Sequence, residues 1–200
     1  MGTTTMDIND IKWLREQTGA GIMEARKALQ QTGGDREKAR KVLEQQGAAG
    51  AAKRAGRTAA QGIVEPYIHA GGQIGVLIEL NSETDFVARM PEFRELAHEI
   101  AMQVAATDPK YLSIDDVPAQ EAEEMRARFR EEAIKEGKPE KIAGNIAEGR
   151  FKKYAQSVAL LEQPYIRDDS KTIKQLITDL SAKTRENIVL KRYSRFQVGA

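Results

Sequence analysis

Residues 74–93, with the sequence IGVLIELNSETDFVARMPEF, join a predicted strand directly to a predicted helix. In the first part Ile74, Val76 and Ile78 alternate with other residues, and this period of two predicts a strand with one buried face. Pro91 fits the first turn of a helix. The apolar stripe that follows at helical spacing ends before Asp108-Pro109 and consists of Phe93, Leu96, Ala97, Ile100, Ala101 and Val104.

Two further runs of residues that favour strands complete a predicted sheet. Residues 63–69 and 74–80 flank the sequence AGGQ at 70–73, where glycine permits the positive φ of a hairpin turn. Residues 187–198 form a last β-rich run.

The chain before this sheet predicts three short helices. Gly19 and Gly21 separate the first two apolar stripes, and Asp35 is a suitable N-cap for the third. We predict a three-helix domain over residues 1–46, a partly helical linker rich in Ala, Gly and basic residues over 47–61, and a core domain over 62–200. The stripes are Ile8, Ile11, Trp13 and Leu14, then Ile22, Met23, Ala25, Ala28 and Leu29, then Ala39, Val42 and Leu43.

The remainder of the core domain is predicted to be helical. A charged helix over 119–136 turns at Gly137-Lys138-Pro139 into a helix that carries Ile146 and Phe151, and the two should form an antiparallel pair. A last helix carries Ile173, Leu176, Ile177 and Leu180. The predicted fold class is therefore α+β, with a small antiparallel three-stranded sheet covered by helices.

Composition excludes several classes of function. The chain has no cysteine, so it can hold neither a disulfide nor a thiolate metal site. Its net charge is +1, with 11 basic and 7 acidic residues up to position 61, an excess too small to favour a nucleic-acid binder over a protein that binds an acidic protein surface. No apolar run can cross a bilayer, and residues 1–10 are polar, so we expect a cytoplasmic protein; an organelle form without its transit peptide would look similar.

The motifs that could carry chemistry are weak. The sequence TGAG at 18–21 lacks the Lys-Ser/Thr ending of a phosphate-binding loop and favours a turn between helices. His69 and His98 have no pattern of ligands beside them. The pairs at 115–116 and 168–169 are typical of turn or cap carboxylates. We predict no catalytic residue, no metal site and no cofactor.

Two separated motifs carry a family resemblance. The sequence NSETDFVAR at 81–89 and the sequence LREQTGAGIM at 14–23 resemble the two signatures of the elongation factor Ts family. Further similarity runs along nearly the whole chain, at 46–55, 146–150, 160–164, 186–188 and 195–196. Alternatives that remain open are an RNA-binding protein of the ribosome, which the basic linker could serve, and an enzyme of unknown reaction.

The resemblance implies a guanine-nucleotide exchange factor for elongation factor Tu, without covalent chemistry. It also implies that the segment Thr84, Asp85, Phe86 and Val87 enters the partner near its Mg²⁺ and phosphate site. Phe86 would act as a wedge, and Asp85 would disturb the metal. The residue types suit this role, since a rigid aromatic ring displaces packed groups and a carboxylate disturbs a site balanced by a cation.

The resemblance also assigns the three-helix unit, which would be of the ubiquitin-associated (UBA-like) type, as the partner-docking domain. Ile22 and Met23 would form an apolar anchor, and Lys12, Arg26 and Lys53 would meet carboxylates of the partner. A small apolar spot surrounded by basic residues is a common interface pattern.

The chain resembles the short form of the family, which has one core module and could pair noncovalently with itself to form a 2:2 complex with elongation factor Tu. Ser82 and Ser194 stand where members often have cysteine, which excludes a disulfide-linked pair. Ile22 replaces a frequent methionine. Arg185 follows Thr184 where glycine is common, and we do not expect a tight turn there.

Overall fold

A computed structural model describes residues 7–199. Residues 1–6, where the predicted N-terminal domain starts, and residue 200, where the predicted core domain ends, lie outside the described residues. The helices are α1 (Ile8–Thr18), α2 (Ile22–Gln31), α3 (Arg36–Arg54), α4 (Asp85–Ala88), α5 (Pro91–Thr107), α6 (Ala119–Lys135), α7 (Glu140–Val158) and α8 (Ile173–Thr184). The strands are β1 (Gln61–Ile68), β2 (Ile74–Ser82), β3 (Pro164–Tyr165), β4 (Asp168–Thr172) and β5 (Val189–Gln197).

The described chain divides into two compact units. The first contains the chain up to Glu65 with Ile78–His98 and Gln175–Lys191, and the second contains Pro66–Leu77, Glu99–Lys174 and the chain from Arg192 onward. Helices and a small antiparallel sheet occur together, which confirms the predicted α+β class.

The three predicted N-terminal helices are present. Asp7 caps α1 by accepting a hydrogen bond from the Asn9 N–H at 2.8 Å, and Asp35 caps α3 by accepting one from the Lys38 N–H at 3.0 Å. Gly19 ends α1 with a φ of 67°, so residues 18–21 form a turn between helices. The buried residues that these helices share are Leu14, Ala25, Ala28, Leu29, Ala39 and Leu43.

Three apolar residues of the predicted stripes are exposed, and two of them are the predicted apolar anchor. Ile8, Ile22 and Met23 all lie in the first turn of a helix and on the surface. Helix α3 continues to Arg54, so the predicted linker at 47–61 begins as helix and ends where β1 begins. The domain boundaries at 46 and 61 stay predictions.

The hairpin and the last strand form the predicted three-stranded sheet, in the order β1-β2-β5. The His69 N–H donates to the Ile74 carbonyl at 2.9 Å and closes the hairpin, whose turn contains Gly71 and Gly72 at positive φ. One face of β2 is buried, as the alternation predicts, through Val76, Ile78, Leu80 and Ser82.

In β5 the apolar residues at 190 and 196 differ in exposure, although a regular strand would place both on one face. Leu190 is 4% exposed but Phe196 is 67% exposed, so the two residues do not both face a core. The expectation at the end of α8 was wrong, because Arg185 adopts a left-handed φ of 61° and its N–H donates to the Ser181 carbonyl at 2.9 Å. The Ser181 hydroxyl donates in turn to the Glu186 carbonyl at 2.5 Å, and these bonds hold the turn without glycine.

Helices α6 and α7 form the predicted antiparallel pair. Arg130 pairs with Glu140 at 3.1 Å near the turn. Arg126 pairs with Glu148 at 2.7 Å farther from the turn, so the two helices run in opposite directions. The guanidinium of Arg126 also lies 3.9 Å from the ring centroid of Phe151. The sequence pattern did not predict the short β3-β4 hairpin, because its strands are brief and mostly exposed.

Gly62 in β1 provides a test of the close approach between β1 and β2. A Cβ at this position would lie 2.3 Å from the Leu80 carbonyl oxygen, so we expect Gly62→Ala to lower the free energy of unfolding by about 1–3 kcal/mol. The measurement is urea denaturation. Gly144→Ala is the matched control, since it lies in α7 with no neighbour within 4 Å and should stabilise by about 0.5–1 kcal/mol. An equal effect of both substitutions would contradict the close approach of β1 and β2 at Gly62.

Candidate functional site

The motif that joins β2 to α5 forms an exposed corner. Thr84 caps α4, since its hydroxyl oxygen accepts a hydrogen bond from the Val87 N–H at 3.4 Å. Asp85 and Phe86, which we call the tip, follow on the surface, and Phe86 is 76% exposed. Val87 is only 4% exposed, so of the four predicted site residues it is the one whose side chain is buried.

Buried neighbours hold the tip from below. Val87 and Ala88 are both buried, and they anchor the short helix by the hydrophobic effect. At the end of β2 the fully buried Ser82 donates its hydroxyl proton to the Thr84 carbonyl at 2.9 Å. The tip is therefore exposed on a supported turn.

A carboxylate from beyond the end of α8 holds the cap residue. The Thr84 N–H donates to Oε2 of Glu186 at 3.0 Å, and the Thr84 hydroxyl donates to Oε1 at 2.6 Å. Hydrogen bonds to an ionised carboxylate are stronger than bonds between neutral groups. Glu186 therefore fixes both the backbone and the side chain of the residue that starts α4.

Asn187 extends this support. Its backbone N–H donates to Oε1 of Glu83 at 2.6 Å, and its buried side-chain amide donates to the carbonyls of Arg57 at 2.7 Å and Ala55 at 3.3 Å. Arg57 also lies 3.6 Å from the Glu83 carboxylate. We call Glu83, Thr84, Glu186 and Asn187 the polar junction.

The acidic member of the tip has a partner just beyond the end of its own helix. The Asp85 carboxylate lies 2.8 Å from the guanidinium of Arg89, and both side chains are largely exposed. An exposed pair of this kind contributes about 0–1 kcal/mol, because water and salt screen it. Asp85 can exchange this partner for another at little cost.

The predicted docking residues lie on three helices. Ile22, Met23 and Arg26 are exposed on the first turns of α2. Glu24 caps this helix by accepting a hydrogen bond from the Gly21 N–H at 2.7 Å. We call Ile22 and Met23 the docking turn. The other two docking residues, Lys12 and Lys53, are exposed on α1 and α3.

The remaining motifs have structural partners. Nδ1 of His98 lies 3.2 Å from Oε1 of Glu65, and Nδ1 of His69 lies 3.0 Å from the Tyr67 hydroxyl. Asp116 and Asp168 accept hydrogen bonds within their own turns. Within residues 7–199 no three His, Cys, Asp or Glu side chains are grouped so that they could hold a metal ion, and no described helix is long and apolar enough to span a bilayer.

The family model described as elongation factor TS matches residues 20–200, which include the tip and the polar junction. The chain belongs to the elongation factor Ts family. Members of this family are the nucleotide exchange factors for elongation factor Tu in translation elongation.

Curated relatives agree along almost the full length. The chain is 51% identical over 189 residues to elongation factor Ts of Caldanaerobacter subterraneus subsp. tengcongensis, covering 94% of each protein. It is 50% identical over 189 residues to the Heliobacterium modesticaldum protein, covering 94% of this chain and 88% of the relative. The Coprothermobacter proteolyticus protein is 51% identical over 189 residues, covering 94% and 96%. The resemblance carried by the two motifs is thereby confirmed.

The roles of Glu186 and Asn187 were not predictable from local sequence patterns. Both lie about a hundred residues from the tip along the chain, and their only signal was the family motif at 186–188. Their partners include backbone groups of turns, which have no residue pattern of their own.

From the contacts of the polar junction we predict that Asn187→Ala destabilises the chain more than Glu186→Ala does. Asn187→Ala leaves carbonyls without a buried donor and should lower the free energy of unfolding by about 1–3 kcal/mol. Glu186→Ala exposes its partners on Thr84 to water and should cost only about 0.5–1.5 kcal/mol. Urea denaturation of both variants checks the order, and a larger loss for Glu186→Ala would contradict it.

Proposed function

We propose that the chain releases GDP from elongation factor Tu by placing the tip in the partner's nucleotide site while the docking turn holds the partner. The chain then acts as an exchange factor without covalent chemistry. What supports this proposal is the exposure of Phe86 directly beside the buried Val87 on a turn held by the polar junction.

Phe86 supplies the wedge. An exposed aromatic ring offers a large apolar area that is removed from water when a partner covers it. The ring has only two rotatable bonds, so it loses little entropy when it inserts between packed side chains. Its buried neighbours Val87 and Ala88 resist its displacement, so insertion moves groups of the partner in preference to the tip.

Asp85 supplies the charge. Bound GDP is held through its phosphates and a Mg²⁺ ion, and a carboxylate brought near that ion competes with its existing ligands. In the free chain Asp85 pairs with Arg89, and this weak exposed pair is readily exchanged in the complex. Thr84 and Val87 have supporting roles, as cap and as buried anchor.

The docking turn supplies binding that does not depend on the nucleotide. Ile22 and Met23 are exposed apolar side chains, and Arg26 lies one helical turn beyond them. Lys12 and Lys53 add positive charge on neighbouring helices and would attract an acidic surface of the partner.

Exchange by this route is reciprocal. If the chain weakens GDP binding by a certain coupling free energy, GDP weakens binding of the chain by the same amount. A nucleotide must therefore release the factor at the end of the cycle. The loading of elongation factor Tu with GTP then depends on the excess of GTP over GDP. It does not depend on a preference of this chain for one nucleotide.

We also propose that two copies of the chain pair noncovalently through one face of the sheet. In the second unit the Ile68 side chain covers Gly75, and Leu77 lies two residues further on the same face. The Val198 N–H donates to the Gln73 carbonyl at 2.9 Å, which places Phe196 opposite Gly75. Exposed side chains on this face are Ile68, Leu77 and Phe196.

Removal of the tip should slow exchange without unfolding the chain. We expect Asp85→Ala/Phe86→Ala to reduce the maximal rate of GDP release at least tenfold, because both contacts form only as the nucleotide leaves. Stopped-flow fluorescence of labelled GDP bound to elongation factor Tu measures the rate. Ile166→Ala, which removes an exposed apolar side chain of the β3-β4 turn, should leave the rate unchanged. An unchanged rate in the double variant would exclude these two residues from the mechanism.

The pairing of two copies predicts a change of mass. Light scattering after gel filtration should give a dimer for the natural chain and a monomer for Phe196→Glu, since a charge in an apolar interface is costly to desolvate. Ile166→Glu is the control and should remain dimeric. A natural chain that is monomeric at micromolar concentration contradicts the pairing.

A further inference from the structure

The end of α8 contacts both regions that are proposed to bind the partner. Residues 182–187, which we call the α8 brace, contact the helix that carries the docking turn on one side and the cap of the tip on the other, all within the first unit. We propose that the α8 brace is a positioning element that fixes the distance and orientation between the docking turn and the tip. This inference rests on the proposed function.

One arm of the brace reaches the docking turn. The Arg185 guanidinium donates to Oε2 of Glu24 at 2.9 Å, and the same oxygen accepts the hydrogen bond from the Gly21 N–H at 2.7 Å. Ile22 and Met23 follow Gly21 directly. The carboxylate that caps α2 is thus shared with the α8 brace, and the position of the docking turn depends on both bonds.

Close packing sets the spacing on this side. A Cβ at Gly47 would lie 2.9 Å from the Ala182 Cβ, and a Cβ at Gly19 would lie 2.7 Å from the Lys183 Cγ. Carbon atoms without a bond between them are comfortable at about 3.5–4.0 Å. Helices α1 and α3 therefore approach α8 to a distance that only glycine allows at these two positions.

The other arm of the brace reaches the tip. Glu186 accepts two hydrogen bonds from Thr84, the cap of the helix that carries Asp85 and Phe86. The Lys183 ammonium lies 3.1 Å from the Glu92 carboxylate at the start of α5, just beyond the tip. A hydrogen bond from its own backbone N–H and the bond from Lys183 lower the pKa of Glu92, which favours its charged form.

The left-handed conformation of Arg185 allows its side chain and that of Glu186 to contact different partners. Arg185 has a φ of 61°, which reverses the chain after α8. Arg185 and Glu186 are adjacent, yet one binds Glu24 and the other binds Thr84. A non-glycine residue in this conformation is strained and persists only where surrounding contacts hold it.

A fixed spacing matters because the partner is contacted at two places. A second contact made by the same rigid body forms at high effective concentration only when the spacing fits both sites. A displacement of about 1 Å at a reacting site can reduce a rate as much as a hundredfold. The docking turn contributes to binding before exchange, whereas the tip acts as the nucleotide leaves. An altered spacing should therefore lower the maximal rate of release and leave docking nearly unchanged.

The contact between Gly47 and Ala182 permits a reversible test. Gly47→Ala pushes α3 away from α8 while raising helix propensity, so it moves the docking turn without weakening the helix. We expect the maximal rate of GDP release to fall at least fivefold, with the concentration of factor at half-maximal rate changed less than twofold. Gly47→Ala/Ala182→Gly moves the methyl group to the opposite helix and should restore the maximal rate to within twofold.

Two further variants complete the experiment. Gly149→Ala makes the same substitution in α7, where no atom beyond the adjacent residues and the nearby backbone of that helix lies within 4 Å of the added Cβ, and should not change the rate. Arg185→Gly removes the bond to Glu24 and relieves the left-handed strain. It should lower the maximal rate about twofold at low salt, and the difference should shrink at about 1 M salt, where the Debye length is about 3 Å.

The outcomes separate the two proposals. If Gly47→Ala and Arg185→Gly both exchange at the natural rate while loss of Asp85 and Phe86 slows exchange, the positioning role is wrong and the proposed function stands. If loss of Asp85 and Phe86 has no effect, the proposed function fails and this inference fails with it. Circular dichroism melting of each variant identifies unfolding; if Gly47→Ala unfolds, Arg185→Gly and the double substitution decide.

Discussion

The bidentate contact between Glu186 and Thr84 is the constraint on which the presentation of the tip depends. Helix α4 has four residues, far fewer than an isolated helix needs to be stable in water. It forms because its cap is held by a carboxylate and because Val87 and Ala88 are buried. Without these contacts Asp85 and Phe86 would belong to a loop with many conformations.

The different exposure of the adjacent residues Phe86 and Val87 follows from helix geometry. In the first turn of α4 the side chains of Phe86 and Val87 point in different directions, so one can face solvent while the other is buried. The exposed ring is available to a partner, and the buried valine resists its movement. A strand in place of this turn would also alternate, but it would offer no N-cap for Glu186 to hold.

Much of the fold was predictable because its signals are local. The alternation in β2, the proline that starts α5 and the glycines of the hairpin turn each specify structure within a few residues. The exposure of Ile22 and Met23 was not predictable from periodicity, since an apolar residue in the first turn of a helix can face a core or a partner. The same holds for Phe196 in β5.

The candidate site was partly predictable. The motif at 81–89 located the tip, but Glu186 and Asn187 reach it from about a hundred residues away, and Arg185 reaches Glu24 from a still greater separation in sequence. Such contacts depend on how α8 packs against α1 and α3, where Gly19 and Gly47 allow close approach. A glycine within a helix or at its end has the same local signature whether or not another helix lies against it.

The amino-acid sequence by itself determined the class of the fold, the positions of its main helices and strands, and membership of the elongation factor Ts family, because hydrophobic periodicity, caps and motifs act over short distances. Only the tertiary structure decided which apolar residues remain on the surface, where α3 ends, and how Glu186 and Asn187 hold the tip. Those features follow from packing and hydrogen bonds between segments that are distant in the chain, and no local pattern of residues specifies them.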